Sequence, residues 1–118
     1  MVSTSQAFDL ARMGNRDLAV NLLKQEFQKL QYSDQKVELC RWIASCFENL
    51  HDYPQAAEWY EMAGVLSLSE TGSPLINSLM ALREYEKALD CHQQGGDEEG
   101  VQSCLAVIHD LNRSYVGS

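Results

Sequence analysis

The sequence predicts an all-α protein, a single domain of six antiparallel helices that covers residues 1–118. Apolar residues recur every three to four positions along most of the chain, which is the period of an amphipathic helix. A strict two-residue alternation is nowhere sustained and β-branched residues are few, so the pattern does not favour strands. Turn-forming residues divide the chain into segments with short connections, which favour antiparallel neighbours.

The first two helices are predicted on either side of a break at Gly14 and Asn15. The first runs over about residues 3–13, and the second over about residues 16–31. The apolar stripe of the second helix comprises Leu18, Leu22, Leu23, Phe27 and Leu30. A stripe of this kind indicates one buried face on an otherwise polar helix.

The third and fourth helices carry start signals in their sequences. Ser33 is a predicted N-cap for the third, because its hydroxyl can accept a hydrogen bond from a free backbone N–H. Asp52 and Gln55 resemble a capping box at the start of the fourth, and Pro54 is tolerated in a first turn. The inner side of the third helix is formed by Val37, Cys40, Ile43, Ala44, Phe47 and Leu50.

The fifth helix is predicted over about residues 74–94, with Ser73 as its cap and Pro74 at its first position. The pair Gly95–Gly96 ends it. The sixth helix follows three acidic residues, which favour a helix N-terminus, and runs to about Arg113. Its predicted inward residues are Val101, Cys104, Leu105, Ile108 and Leu111.

An internal repeat emerges when the breaks at Gly14, His51 and Gly96 are aligned. In this alignment a bulky residue precedes each break by four positions. A small or branched residue follows the break, and a second bulky residue comes four positions after that. The matching columns are Leu10, Phe47 and His92; Ala19, Ala56 and Val101; and Leu23, Tyr60 and Leu105. His92 is the polar exception in its column.

The central unit has the clearest pattern. It reads Cys40-x-x-Ile43-Ala44-x-x-Phe47, then Ala56-x-x-x-Tyr60-x-x-Ala63. This resembles the tetratricopeptide (TPR) pattern W-x₂-L-G-x₂-Y…A-x₃-F, although the breaks lie further apart than the 34 residues of that family. The resemblance is clearest over residues 38–68.

The resemblance implies three helix-turn-helix repeats in a short right-handed α-solenoid, over about residues 3–31, 34–68 and 74–115. Ala56, Tyr60 and Ala63 are then packing residues, while Glu58 and Glu61 face solvent. The resemblance does not extend to the carboxylate clamp of family members that bind chaperone tails. That clamp needs Lys and Asn on the first helix, where this chain has Thr4, Ser5 and Phe8.

The charge balance restricts the kinds of partner. Nine Lys and Arg residues against 17 Asp and Glu residues leave a net charge of −8. A nucleic-acid backbone requires a basic surface, so we expect no nucleic-acid partner. The sequence has no apolar run of about 18 residues and no signal-peptide pattern at its start, so we expect no membrane insertion and a cytoplasmic location.

No motif predicts catalysis or metal binding. Cys40, Cys46, Cys91 and Cys104 lie in predicted helices and are interpreted as reduced, mostly buried thiols. No C-x-x-C or H-x-x-x-H spacing occurs, and Cys104 and His109 do not share a helix face. We therefore expect no enzyme, no cofactor and no metal site.

If the TPR resemblance holds, the first helix of each pair lines a concave groove. The groove residues are then Glu38, Arg41, Trp42, Ser45, Glu48, Asn49, Arg83, Glu86, Lys87 and Asp90. Trp and Arg contribute strongly to interfaces, and Arg83 with Lys87 could receive an acidic peptide or a C-terminal carboxylate. Two alternatives stay open: Trp42 packs on a neighbouring helix, or the two cations pair with Glu84, Glu86 or Asp90.

The predicted function is a protein–protein interaction module or scaffold that holds a peptide or helix of a partner. The alternative is a small secretion or assembly chaperone with the same fold, which shields an aggregation-prone client.

Overall fold

The computed structural model describes residues 4–69 and 72–116, and these residues form an all-α fold. The helices are α1 (Thr4–Arg12), α2 (Arg16–Lys29), α3 (Ser33–Asn49), α4 (Tyr53–Ser69), α5 (Pro74–Gly95) and α6 (Glu98–Val116). The all-α prediction with six helices is confirmed for the described part of the chain, which contains no strand. The predicted boundaries differ from the observed ones by at most three residues, and the starts of α2 and α5 agree.

Helix α4 lies at the centre of the packing. It makes its most extensive contacts with α5 and α3, whereas α2 and α3 touch only slightly. Small residues let its neighbours approach closely, as predicted for Ala56 and Ala63, and Tyr60 fills the space between them. The prediction that these three residues pack in the interior is confirmed, since all are buried.

The helix starts agree with most of the predicted caps. The Oγ of Ser73 accepts a hydrogen bond from the backbone N–H of Ile76 at 3.4 Å, with Pro74 in the first turn. Asp52 Oδ1 accepts from the backbone N–H of Gln55 at 3.4 Å, which is half of the predicted capping box. The N-cap of α3 is Tyr32 rather than Ser33, because the helix starts one residue earlier than predicted.

The three aligned breaks adopt the same backbone conformation. Gly14, His51 and Gly96 have positive φ angles of 91°, 61° and 73°, which place each in the left-handed region. This conformation is common just after the last residue of a helix, where it turns the chain out of the helical path. Glycine adopts it without strain, whereas His51 does so as a non-glycine residue.

The hydrogen bonds around these breaks also repeat. The residue after each break donates its backbone N–H to a carbonyl five residues earlier in the chain, at 2.9 Å in all three turns. The donors are Asn15, Asp52 and Asp97, and the acceptors are Leu10, Phe47 and His92. The residue after each break also accepts, at 3.0 Å, from the N–H four positions further on. The α1–α2, α3–α4 and α5–α6 turns are therefore three copies of one Schellman-type turn that leads directly into the next helix.

Side chains also join helices that are two apart in the sequence. The ring of Phe8 on α1 meets Phe47 on α3, and Phe27 on α2 meets Trp59 on α4. Arg41 links α3 to α5, and Glu61 links α4 to α6. The Cα atoms span 48 × 34 × 16 Å, and a thickness of 16 Å corresponds to two layers of helices packed about 10 Å apart.

Three apolar side chains lie elsewhere than predicted. Leu18 is 51% exposed and Leu105 is 42% exposed, although both were expected to face inward. Leu105 has the register position of Tyr60, which packs against α5, but no described helix follows α6 to cover it. Phe8, expected on the groove surface, is buried, because α1 turns it between Trp42 and Phe47.

Within the described residues, every helix is too short or too polar to cross a bilayer. The side chains of Thr4, Ser5 and Ser33 lie outside the part of the chain that the structure describes.

Candidate functional site

The ten predicted groove residues lie at or near the surface, but they do not line one continuous groove. Eight of them belong to two separate depressions. The first contains Glu38, Arg41 and Trp42, and the second contains Glu48 with the four residues from α5. Ser45 and Asn49 are exposed on α3 and line neither depression.

The first depression, here called the Trp42 cleft, has a volume of about 790 Å³. Its walls come from the end of α2, the first half of α3 and Met80 on α5. Its apolar part consists of Leu30, Val37, Leu39, Trp42 and Met80, and its acidic part of Glu26, Asp34 and Glu38. The cleft therefore combines an apolar surface with three carboxylates.

Trp42 is 43% exposed and faces the cleft. One side of the indole meets the buried ring of Phe8 edge-to-face, with ring centroids 5.2 Å apart. The remaining surface is open to solvent and to the cleft. An aromatic held on one side and exposed on the other is already positioned to bind, so little side-chain entropy is lost when a partner covers it.

Arg41 lines the cleft but serves a structural role. Its Nε donates to Glu84 Oε1 at 2.6 Å, and Glu84 is buried in α5. Glu84 is thus not the partner of Arg83 or Lys87 that the sequence allowed. An Arg that neutralises a buried carboxylate is not free to bind a partner's acidic group.

The second depression, here called the Arg83 pocket, has a volume of about 280 Å³. It is lined by Glu48, Arg83, Glu86, Lys87 and Asp90. The Nζ of Lys87 lies 5.5 Å from the centre of the Tyr60 ring, within reach of a cation–π contact. Asp90 accepts from Gln94 at 2.9 Å. The three carboxylates outnumber the two cations, so this pocket is poorly suited to an acidic peptide.

Tyr60 connects this pocket to the core. Its hydroxyl donates to Glu48 Oε1 at 2.9 Å. Burial, and then this bond to a carboxylate, raises the pKa of Tyr60 well above its usual value. The phenol therefore stays protonated and acts as a fixed donor that positions Glu48.

A third group of polar side chains was not anticipated. Glu61 Oε1 lies 2.6 Å from His92 Nε2 and 3.3 Å from Cys104 Sγ. The other ring nitrogen of His92 lies 3.3 Å from Asp97 Oδ2. Glu61 was predicted as a solvent group, but it lies half-buried between α5 and α6. The one sequence signal was His92, the polar residue in a column of bulky apolar ones.

The four cysteines are free thiols within the helices. Cys40, Cys91 and Cys104 are buried and Cys46 is half-buried, and none of the four forms a disulfide. Burial is the main cause that raises the pKa of Cys40, Cys91 and Cys104 to about 12 each. A thiol that stays protonated is a weak nucleophile, so the raised pKa of these three cysteines does not favour a catalytic role.

Comparison with known proteins identifies no relative: no model of a protein family, no curated protein and no solved structure matches the chain.

Proposed function

We propose that the chain is a non-enzymatic protein-binding module of three stacked TPR-like helix pairs, and that its Trp42 cleft holds a basic segment of a partner protein. The observation that carries the proposal is the exposed face of Trp42 inside a cleft of about 790 Å³ with an apolar surface and acidic neighbours.

The repeat architecture is supported by the three equivalent turns. Each has a residue with positive φ and the same pair of hydrogen bonds, in the register that the sequence alignment predicted. The contacts of α1 with α3, α2 with α4, α3 with α5 and α4 with α6 support stacking of the pairs. In such a stack each helix of one pair lies beside the corresponding helix of the next pair. A right-handed solenoid of antiparallel helix pairs accounts for both features.

The chemistry of the Trp42 cleft favours one kind of occupant. Trp42, Leu39 and Met80 offer apolar area that a large apolar side chain would cover. Glu26, Asp34 and Glu38 would attract Lys or Arg next to that anchor, in keeping with the net charge of −8. A peptide or amphipathic helix with an apolar anchor and flanking basic residues fits this combination.

A displayed peptide library tests this proposal without a known partner. Selection on the full chain is expected to enrich peptides with one large apolar residue flanked by Lys or Arg. Binding of an enriched peptide should shift the Trp42 emission to shorter wavelength, because the peptide removes the indole from water. Raising the salt concentration should weaken binding, since exposed charges are screened.

The matched variants are Trp42→Ala and Leu105→Ala. Both residues are about equally exposed, at 43% and 42%, but Leu105 lies on α6 outside the cleft. Trp42→Ala is expected to weaken binding at least about tenfold, which corresponds to the more than 1 kcal/mol typical of a central interface aromatic. Leu105→Ala should leave affinity unchanged. Equal binding by Trp42→Ala and the unsubstituted chain would show that the cleft is not the site.

A chaperone is the second candidate, and it rests on a different observation. Half of the large apolar side chains that are exposed in the described residues flank the connection between α4 and α5. They are Val65, Leu68, Leu75, Ile76 and Leu79. Exposed apolar side chains at one end of a helix pair offer a surface for an aggregation-prone client.

The two candidates differ in which surface matters. A chaperone should slow the aggregation of a client, and Ile76→Ser with Leu79→Ser should abolish that effect while Trp42→Ala keeps it. A peptide-binding module should show the opposite dependence. A chain that slows the aggregation of no client tested, yet binds selected peptides through Trp42, would eliminate the chaperone.

A further inference from the structure

Three side chains that can ligate a metal converge from three different helices. Glu61 on α4, His92 on α5 and Cys104 on α6 each direct one ligand atom to a common point, and these atoms lie within 4.8 Å of one another. We propose that Glu61, His92 and Cys104 form a binding site for Zn²⁺, with a water molecule as the fourth ligand.

The ligand types favour zinc over the harder divalent cations. Zinc binds thiolate sulfur, imidazole nitrogen and carboxylate oxygen in tetrahedral sites, whereas Mg²⁺ and Ca²⁺ require mostly oxygen ligands. A site with three protein ligands leaves one position open for water. In the metal-free chain the Cys104 thiol donates a hydrogen bond to Glu61 Oε1 at 3.3 Å. Zinc would replace the thiol proton, which passes to solvent, and would neutralise both anionic ligands.

The three ligand atoms lie within 4.8 Å of one another, so shifts of at most about 1 Å in each separation give tetrahedral spacing. With zinc bonds of about 2.0–2.3 Å, tetrahedral ligand atoms lie roughly 3.3–3.8 Å apart. The Glu61–Cys104 separation of 3.3 Å is at the lower limit of this range, and the Glu61–His92 separation of 2.6 Å must widen by under about 1 Å. The Glu61 side chain is 36% exposed and has room to withdraw, while Cys104 is held in the core.

The surroundings of His92 resemble those of a metal-bound histidine. A metal-ligating imidazole almost always donates its second N–H to a carboxylate or carbonyl, which fixes its orientation. Asp97 Oδ2 lies 3.3 Å from His92 Nδ1, so Nε2 is left for the metal. The same Asp97 holds the start of α6, because its Oδ1 accepts from the Gly100 N–H at 3.0 Å.

Two further features of the structure surround His92. Any side chain at position 100 would collide with the His92 ring, so Gly100 allows α6 to pass directly over the imidazole. A depression of about 230 Å³ on the protein surface reaches His92 and is bordered by Asp97 and Glu98. Acidic residues along an entry route attract a divalent cation.

Sequence spacing could not reveal this site. Metal motifs are recognised when ligands sit a few residues apart on one element. Here each ligand comes from a different helix, and only the packing of α4, α5 and α6 brings them together.

Cobalt(II) tests the site, because it adopts the ligands of zinc and is coloured. The full chain, stripped with a chelator, should bind one equivalent of Co²⁺. The spectrum should show the visible bands of tetrahedral cobalt and a thiolate-to-cobalt charge-transfer band in the near ultraviolet. One equivalent of Zn²⁺ should abolish both and raise the melting temperature with increasing metal concentration.

The variants separate this site from adventitious binding. Cys104→Ser should remove the charge-transfer band, and His92→Gln and Glu61→Gln should each weaken cobalt affinity at least about tenfold. Asp97→Asn keeps a good helix cap but loses the carboxylate, and should weaken affinity about 10–100-fold. Cys46→Ser and His109→Gln carry the same residue types outside the cluster and should leave binding unchanged.

Glu61→Gln is the decisive variant should the buried Cys104→Ser fail to fold, because Glu61 is partly exposed and its replacement is nearly isosteric. Absence of stoichiometric cobalt binding by the folded chain would overturn the proposal. So would a cobalt spectrum that is unchanged in Glu61→Gln and His92→Gln, or one that disappears in Cys46→Ser.

Discussion

The Nε of Arg41 on α3 donates to Oε1 of Glu84 on α5 at 2.6 Å, and this contact joins two helices that are not consecutive. Glu84 is only 3% exposed, and its second oxygen, Oε2, has no hydrogen-bond donor among the described residues. The carboxylate therefore depends on Arg41 for its neutralisation. A buried charge without its partner is costly, so this pair should couple the central and third helix pairs.

Removal of Arg41 should destabilise the fold markedly. Arg41→Ala leaves the buried Glu84 carboxylate uncompensated, and we expect the free energy of unfolding to fall by about 3 kcal/mol, at the low end for a broken buried pair because Arg41 is partly exposed. Urea denaturation measures this change. Arg83→Ala, an exposed Arg on α5, is the matched control and should change stability by less than about 0.5 kcal/mol.

The double variant Arg41→Met with Glu84→Leu separates charge from packing. Replacement of both members by apolar residues removes the uncompensated charge, and most of the lost stability should return. A double variant no more stable than Arg41→Ala would contradict this account. So would equal effects of Arg41→Ala and Arg83→Ala.

The stability of the fold should fall in alkaline solution, in part through Cys40. Burial, and then the nearby Glu84 charge, raises the pKa of the Cys40 thiol from 9.0 to about 12. Between these two values the unfolded chain releases the thiol proton while the folded chain retains it, so the unfolded state gains stability as pH rises. The contribution of Cys40 is fully present below about pH 9 and is lost above it, at up to about 1.4 kcal/mol per pH unit.

Urea denaturation at a series of pH values from about 8 to about 10 measures the slope. Cys40→Ala should lower stability at every pH because it leaves a cavity, but its slope above pH 9 should be shallower than that of the unsubstituted chain. Parallel slopes for the two chains would show that Cys40 does not titrate differently in the folded and unfolded states.

The helices and turns were predictable because their signals are local. Ser73 and Pro74 start α5 through contacts within four residues, and the break at Gly96 needs only its own backbone freedom. The exposure of Leu18 and Leu105 was not predictable in this way. The apolar period identifies a stripe, but whether each member is covered depends on a neighbouring helix, which spacing along the chain does not specify.

The candidate sites also differ in whether local sequence or contacts between distant helices determine them. Arg83 and Lys87 are exposed, as the groove assignment expected. For Trp42 the sequence left two alternatives open, and the side chain combines them, because it packs against Phe8 on α1 and is still 43% exposed. The partner of Arg41 and the Glu61–His92–Cys104 cluster were missed, because each joins residues more than 30 positions apart. Such contacts follow from how the helices stack, and one sequence does not determine that.

Gly64 should be intolerant of even a methyl group. A Cβ at this position in α4 would lie 2.7 Å from Cε2 of the Tyr85 ring on α5, inside the normal contact distance. Alanine is the better helix former by about 1 kcal/mol, but overpacking of a core typically costs about 1–3 kcal/mol. We expect Gly64→Ala to lower the free energy of unfolding by about 1 kcal/mol or more in urea denaturation.

A double-mutant cycle with Tyr85→Leu identifies the cause. The smaller side chain removes the ring that the new methyl group meets, so Gly64→Ala should cost much less in the Tyr85→Leu background. If Gly64→Ala is as stable as the unsubstituted chain, or if the two changes are additive, the contact with Tyr85 does not limit the packing of α4 and α5.

The three equivalent turns predict that glycine is the most stable residue at each break. His51 adopts a φ of 61°, which costs a non-glycine residue about 1–2 kcal/mol, whereas Gly14 and Gly96 adopt their positive φ without this cost. A Cβ at Gly14 or Gly96 would meet no atom within 4 Å, so replacement of either by Ala tests the backbone alone. Gly14→Ala and Gly96→Ala should each lower stability by about 1 kcal/mol.

His51→Gly should instead raise stability by about 0.5–1 kcal/mol, because the relieved strain exceeds the added entropy of a more flexible unfolded chain. His51→Gly also removes the edge-to-face contact of the His51 ring with Tyr53, whose centroids lie 5.9 Å apart, and the hydrogen bond between His51 Nδ1 and the Tyr53 hydroxyl at 3.0 Å. Tyr53→Phe removes that bond without changing the backbone and measures its contribution separately. If His51→Gly lowers stability by more than Tyr53→Phe does, the left-handed conformation at His51 is not strained. The three turns would then not be equivalent in energy, although they share one hydrogen-bond pattern.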